Sequence, residues 1–209
     1  MSFKKAVLII ILVLLVDQIV KVYIKTNFVY GSGGIIDVTN WFKILLIENE
    51  GAAWGTRLSD IFPISDSSGK LILTIFRLFA IGGIGYWLYN AIKNNGPAIL
   101  IVSISLIFSG ALGNIIDSVF YGIIFSESTY NEIAVLFPEK TYGTLFHGKV
   151  VDMLYFPLVD TVWPEWVPYF GGKSFRFFEP VFNIADTAIS TGVGILLVFN
   201  KKAFPKKNN

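Results

Sequence analysis

Any chemistry on this chain has to run on carboxylates, amides, hydroxyls and lysines. Its 209 residues contain no cysteine and one histidine, His147. That excludes thiolate nucleophiles and thiolate metal sites, and leaves little room for a zinc centre or a Ser–His–Asp triad. The polar residues of interest stand in apolar surroundings. Asp17 and Lys21 are spaced i, i+4 and can face each other on a helix. Gly110, Asn114 and Asp117 follow at i, i+4, i+7, which lines up a small residue, an amide and a carboxylate on one stripe. Asn183 and Asp186 are i, i+3, with Thr187 and Ser190 adjoining that face. Asp152 interrupts the apolar run Val150-Val151-Asp152-Met153-Leu154. Two carboxyl groups held close together cannot both ionise cheaply, so they share a proton and divide into an acid and a base. Asp152 and Asp186 are two carboxylates that could meet in this way.

The elements that must position these residues read as membrane helices. Hydrophobic residues make up 54% of the chain and charged ones 15%, where a soluble domain carries about 25% charged. A bilayer crossing takes about 20 apolar residues, and four segments qualify: 6–24, 71–92, 98–116 and 182–199. No small-x-small cleavage site follows the first, which therefore reads as a retained span and not a signal peptide. Lysines lie at 4 and 5, in the 93–97 turn and at 201, 202, 206 and 207, while all fifteen acidic residues fall between Asp17 and Asp186. Positive charge marks the cytoplasmic side, so both termini are expected there, with two external segments, 26–70 and 118–180. In this frame Asp17 and Lys21, Asn114 and Asp117, and Asn183 and Asp186 all lie toward the external ends of their spans and gather at one depth.

The expected fold class is an all-α membrane protein, a four-transmembrane-helix bundle with a small external β-containing region, forming one integral membrane domain over 1–209. Strand character appears at 41–47 and 149–156, and turn signals at 31–37. The dense aromatics Trp163, Trp166, Tyr169, Phe170, Phe175, Phe177 and Phe178 favour the headgroup layer, which places that piece on the outer membrane surface. A net charge of +2 is too small to imply a nucleic-acid partner.

The same residues carry a resemblance. Asp17-Gln18-x-x-Lys21, Glu48-Asn49-Glu50-Gly51-Ala52-Ala53-Trp54-Gly55, Gly110-Ala111-x-Gly113-Asn114-x-x-Asp117, Val150-Val151-Asp152 and Phe182-Asn183-x-Ala185-Asp186 occur in this order on the membrane frame. Together they resemble the lipoprotein signal peptidases (signal peptidase II), aspartyl proteases of the bacterial cytoplasmic, or inner, membrane. The resemblance covers nearly the whole chain. It implies that Asp152 and Asp186 are catalytic, with Asp17, Lys21, Asn49, Gly51, Asn114, Asp117 and Asn183 binding substrate or supporting the site, and no metal or other cofactor. The implied substrate is a prolipoprotein already carrying diacylglycerol, cut just before its lipidated cysteine at the external face, with membrane lipid as a second partner. Cyclic-peptide inhibitors such as globomycin are implied as ligands. The chain departs from the pattern in two ways: most members carry arginine after the third-span aspartate, where this one has Ser118, and the stretches 119–149 and 157–178 are longer than the resemblance leads one to expect.

Other readings stay open at this point. Asn183 with Asp186 can serve as a polar helix–helix contact, and Asp17 with Lys21 as a structural ion pair. Asp117 can brace the fold or tune the carboxyl pair. Arg77 reads as a snorkelling or paired residue and His147 as a loop histidine. Intramembrane carboxylates also serve transporters and channels, although here they cluster at one depth with no repeat symmetry. A non-catalytic membrane scaffold would tolerate Asp→Asn changes at both positions of the pair.

Overall fold

The computed structural model describes residues 1–50, 57–177 and 180–205. Helix α1 spans Phe3–Asn27, α2 Asp66–Lys93, α3 Ala98–Ile116 and α4 Ile184–Val198. Among the described residues three helices are long and apolar enough to cross a membrane: α1, α2, and α3 extended to Ile124. Helix α4 is apolar but has only 15 residues, roughly 22 Å at 1.5 Å per residue. A four-residue helical turn, Asn200–Ala203, follows it.

Local chemistry sets the helix ends. At the start of α2 the Ser65 hydroxyl accepts the Ser68 N–H at 3.2 Å, with Asp66 in the first turn. The α2–α3 turn closes through the Gly96 N–H on the Ala91 carbonyl, after Asn95 in the left-handed region, and Pro97 then opens α3. Helix α4 begins with a reciprocal cap: Asn183 Oδ1 accepts the Asp186 N–H at 2.9 Å, and Asp186 Oδ2 accepts the Asn183 N–H at 3.3 Å. At Asp117 α3 widens into a π-helical turn, Asp117–Tyr121, before one last α turn to Ile124.

Helix α3 is the central column, packed by α1, α2 and α4. Small residues allow the close approach to α4. A Cβ at Gly110 would overlap the Ala185 carbonyl, and one at Gly192 would lie 2.7 Å from the Ser103 carbonyl. The outward faces of α1 (Leu8, Leu12, Leu15, Ile19) and α2 (Ile72, Phe76, Phe79) stay exposed, as expected of surfaces that meet lipid. One apolar core joins Ala6, Leu88, Ile101 and Ile104. A second, beyond the carboxylates, joins Ile24, Phe28, Leu46, Tyr121, Phe125, Val151 and Met153.

The β region is a four-stranded antiparallel sheet in the order β1-β2-β3-β6, with β1 Gly31–Thr39, β2 Phe42–Asn49, β3 Val150–Tyr155 and β6 Val181–Phe182. Residues 31–37, expected to form turns, instead form most of β1. Their register against β2 shifts between Gly31 and Ile36, so the glycines accommodate an irregular edge strand and do not end it. A separate hairpin pairs β4, Val159–Val162, with β5, Ser174–Phe177, inside the aromatic-rich stretch that showed no strand signal in the sequence. Residues 125–149 form a long loop folded back on the end of α3, where the N–H groups of Gly143, Phe146 and Gly148 bond the carbonyls of Gly122, Val119 and Ser118.

Candidate active site

Asp152 reaches the site from β3, in register with Ile47 of β2, and Asp186 from the third residue of α4. Two amides join their carboxylates. Asn183 Nδ2 donates to Asp152 Oδ1 at 2.7 Å and to Asn114 Oδ1 at 3.0 Å. Asn114 Nδ2 donates to Asp186 Oδ1 at 2.8 Å. Asn49, at the end of β2, adds a weaker contact to Asp152 Oδ2 at 3.3 Å. Asp152 is buried and Asp186 half-buried. Burial, followed by the neighbouring Asp186 charge, pushes the Asp152 carboxyl up to about 7.

Asp17, Lys21 and Asp117 form a second, fully enclosed layer. Lys21 Nζ lies 3.0 Å from Asp17 Oδ2 and 2.8 Å from Asp117 Oδ2, and donates to Asn114 Oδ1 at 2.8 Å. Lysine can only donate, so it holds the carbonyl side of the Asn114 amide toward itself and leaves the NH₂ side for Asp186. The two carboxylates of this layer also reach the backbone beside the pair. Asp17 Oδ1 accepts the Ala185 N–H at 2.9 Å, and Asp117 Oδ2 accepts the Val151 N–H at 3.2 Å. Each member of the Asp152/Asp186 pair is therefore preceded in the chain by an amide anchored to a buried aspartate.

Of the residues singled out in the sequence, the structure brings together Asp17, Lys21, Asn49, Asn114, Asp117, Asp152, Asn183 and Asp186. Gly51 lies outside the described residues. Gln18, quoted in the first motif without a role, donates to Asp17 Oδ2 at 3.1 Å and Asp117 Oδ1 at 3.0 Å and accepts from the Tyr121 hydroxyl. Lys25 went unnoticed, although it continues the Asp17–Lys21 stripe by one helical turn. It is buried in an ion pair with Glu48, bonds Ser128 Oγ at 3.0 Å and lies over the Phe125 and Tyr142 rings. Arg77 turns inward from α2, with NH1 donating to Ser118 Oγ at 3.3 Å. His147 stays in the loop, bonded to Thr144 and Ser67.

A pair of carboxyl groups at the junction of a membrane bundle and a sheet, one buried and one half-open, suits acid–base attack of water on a carbonyl. The comparisons with known proteins point to one family. Residues 9–201 match the family model described as Signal peptidase (SPase) II. The lipoprotein signal peptidase of Porphyromonas gingivalis (strain ATCC 33277) is 45% identical over 93% of this chain and 82% of its own length. That of Amoebophilus asiaticus is 36% identical over 92% of this chain and 75% of its own. A bacterial membrane enzyme structure determined in meso at 1.9 Å superposes with a TM-score of 0.59 at 25% identity, covering 97% of this chain and 96% of that one. With the family model spanning most of its length and a relative this similar, the chain belongs to the signal peptidase II family.

Proposed function

We propose that this protein is a membrane aspartic endopeptidase that removes the signal peptide from diacylglyceryl-modified prolipoproteins, cleaving before the lipidated cysteine, and that Asp152 and Asp186 are its catalytic pair. The observation that carries this reading is the amide bridge: Asn183 and Asn114 tie the two carboxylates into one hydrogen-bonded unit. One shared proton divides the pair into base and acid. The more buried Asp152 holds that proton and donates to the scissile carbonyl, while the half-open Asp186 takes a proton from the attacking water. The pair titrates as a unit, and collapse of the tetrahedral intermediate passes a proton to the leaving amine.

The proposed placement in the bacterial inner membrane has four spans, with α4 and the turn after it completing the fourth. Both termini are cytoplasmic and the sheet external. Basic residues in the first turn of α1 and following α4 support this orientation. The acyl chains of the substrate then stay in lipid while the bond meets the pair at the external edge. Asn49, bonded to Asp152, meets the substrate backbone as it approaches, and the aromatic β4–β5 hairpin rests at the headgroup layer. A globomycin-like cyclic peptide competes with the substrate for the same pair.

The test is cleavage of a diacylated prolipoprotein by purified protein in EDTA, beside Asp152→Asn and Asp186→Asn. Cleavage by wild type and loss of at least about 10³-fold in each variant is the expected result. A folded wild type that leaves the substrate intact, or a variant that still cleaves at the wild-type rate, refutes the assignment. A non-lipidated precursor is cleaved far more slowly; equal rates would refute the lipid-anchoring part.

A further inference from the structure

We infer that Arg77 of α2 is a positioning residue for the Asp152/Asp186 pair, the cation that keeps one member ionised while the other holds the shared proton. The inference rests on the peptidase reading above. A charged side chain in a membrane helix costs about 2.5–3.5 kcal/mol on insertion scales and needs a reason to stay. The neighbouring Phe76 and Phe79 point outward at 67% and 77% exposure, whereas Arg77 is only half-buried and turns toward α3. There NH1 donates to Ser118 Oγ at 3.3 Å, and Ser118 Oγ donates to the main-chain carbonyl of Asn114 at 2.9 Å. Asn114 is the residue whose amide binds Asp186. The guanidinium also lies within Coulombic reach of both Asp186 and Asp152.

Charge around the pair explains why a second cation belongs here. Helix α1 presents Asp17 and Lys21, α3 presents Asp117, β3 presents Asp152 and α4 presents Asp186, while β2 offers the neutral amide of Asn49. Lys21 is shared between Asp17 and Asp117 at 3.0 and 2.8 Å, which leaves that trio one negative charge in excess. Lys25 is likewise committed to Glu48. A singly ionised Asp152/Asp186 pair adds a further negative charge beside the trio. Arg77, entering from the α2 side, offsets it. Arginine suits the role because its planar fork can donate to Ser118 while its charge still faces the pair.

The experiment is the pH dependence of kcat/KM on a diacylated prolipoprotein, with the full-length enzyme in lipid–detergent micelles, for wild type, Arg77→Gln, Arg77→Met and Arg77→Lys. Loss of a nearby positive charge makes both ionisations of the pair harder, so both limbs of the bell move to higher pH. For Gln and Met the expected shift is about one pH unit, a tenfold loss on the acid side, while Lys keeps the limbs close to wild type. Gln and Met are both easier to insert than Arg, and either folded variant suffices. A profile that is lowered but unmoved would show a purely structural role and overturn the inference. So would a Lys variant shifted as far as the neutral ones. A wild type without cleavage sinks the peptidase reading and this one with it, whereas active wild type with unmoved limbs sinks the Arg77 role alone.

Discussion

Lys21→Met is the substitution whose consequence can be worked furthest from the geometry. The Lys21 side chain is 0% exposed, and its ammonium contacts carboxylates that are themselves 1% and 0% exposed. At an effective dielectric of about 20, each contact near 3 Å is worth about 5–6 kcal/mol before dehydration is counted. Dehydration of the three ions offsets most of that, which is why the intact cluster adds little net stability. Removing the lysine alone is different. Asp17 and Asp117 then face each other without a cation, and the loss expected for a broken buried pair is about 3–5 kcal/mol. For a chain of this size that lowers the unfolding midpoint by about 10 °C. The assay is thermal unfolding in detergent followed by the fluorescence of the five tryptophans. Asp117→Asn added to Lys21→Met relieves the repulsion and restores about 1–2 kcal/mol. Activity falls as well, because Asn114 Oδ1 loses its charged donor and keeps only the Asn183 amide. A Lys21→Met protein melting within 2 °C of wild type would refute the reasoning, and so would a double variant less stable than the single one.

Three further outcomes follow. Asp152 takes up a proton on folding, since burial raises it to about 7 from an ordinary carboxylate value. The stability it contributes is therefore full below about pH 4 and is lost as pH rises toward 7. Asp152→Asn should melt above wild type at pH 8, with the gap closing toward pH 4; equal midpoints at pH 8 would count against it. Gly110→Val drives a side chain into the Ala185 carbonyl and should cost at least about 1–3 kcal/mol, read as a lower melting temperature; a neutral result would mean that α3 and α4 can separate freely. Lys25→Met takes the nearer cation from buried Glu48 and one of the two partners of Ser128, leaving Lys149 3.6 Å from Glu48 and the Ser128–Glu48 hydrogen bond. Limited proteolysis should then cut within 125–149 much faster than in wild type, and an unchanged digestion pattern would show that this loop is held by other contacts.

Some of this organisation was legible in the sequence and some was not, for physical reasons. Long apolar runs mark α1, α2 and α3 because a membrane helix has to be apolar along most of its length. Asp17 with Lys21 could be read as facing neighbours because their spacing is a helix property. Asn183 with Asp186 was legible as a pair, but their spacing serves a capping box and not a mid-helix stripe. The same cap that starts α4 therefore aims its carboxylate. The π-helical turn at Asp117 left no trace, since a single wide turn has no sequence period of its own. Neither did the pairing of Gln18 with Asp117 or of Arg77 with Ser118. Those contacts join segments about 100 and 41 positions apart, and only the packing of α1 and α2 on α3 brings them together. The glycines of β1 misled because an irregular edge strand and a turn use the same residue.

The two buried aspartates outside the proposed pair show why so many charges gather at one depth. A reactive carboxyl group on a strand and another on a helix keep their spacing only if both elements are tied down, and the direct ties between β3 and the start of α4 are short: the β6 pairing and the Asn183 bonds to Asp152 and Val151. Asp17 bonds the amide before Asp186, and Asp117 bonds the amide before Asp152. Both aspartates are bound to the same lysine. The strand and the helix are thus referenced to one ammonium group as well as to each other, through hydrogen bonds made strong by the ionised acceptors. This arrangement preorganises the pair before substrate arrives, which is where electrostatic catalysis gains most. It also distinguishes the two layers by experiment. If the inner layer only braces the fold, Asp17→Asn and Asp117→Asn lower the melting temperature and leave kcat unchanged in the surviving folded enzyme. If it sets the geometry of the pair, kcat falls at temperatures well below the melting transition while KM holds. The anchored amides beside both carboxylates lead us to expect the second result, and an unchanged kcat in a folded Asp117→Asn enzyme would defeat it.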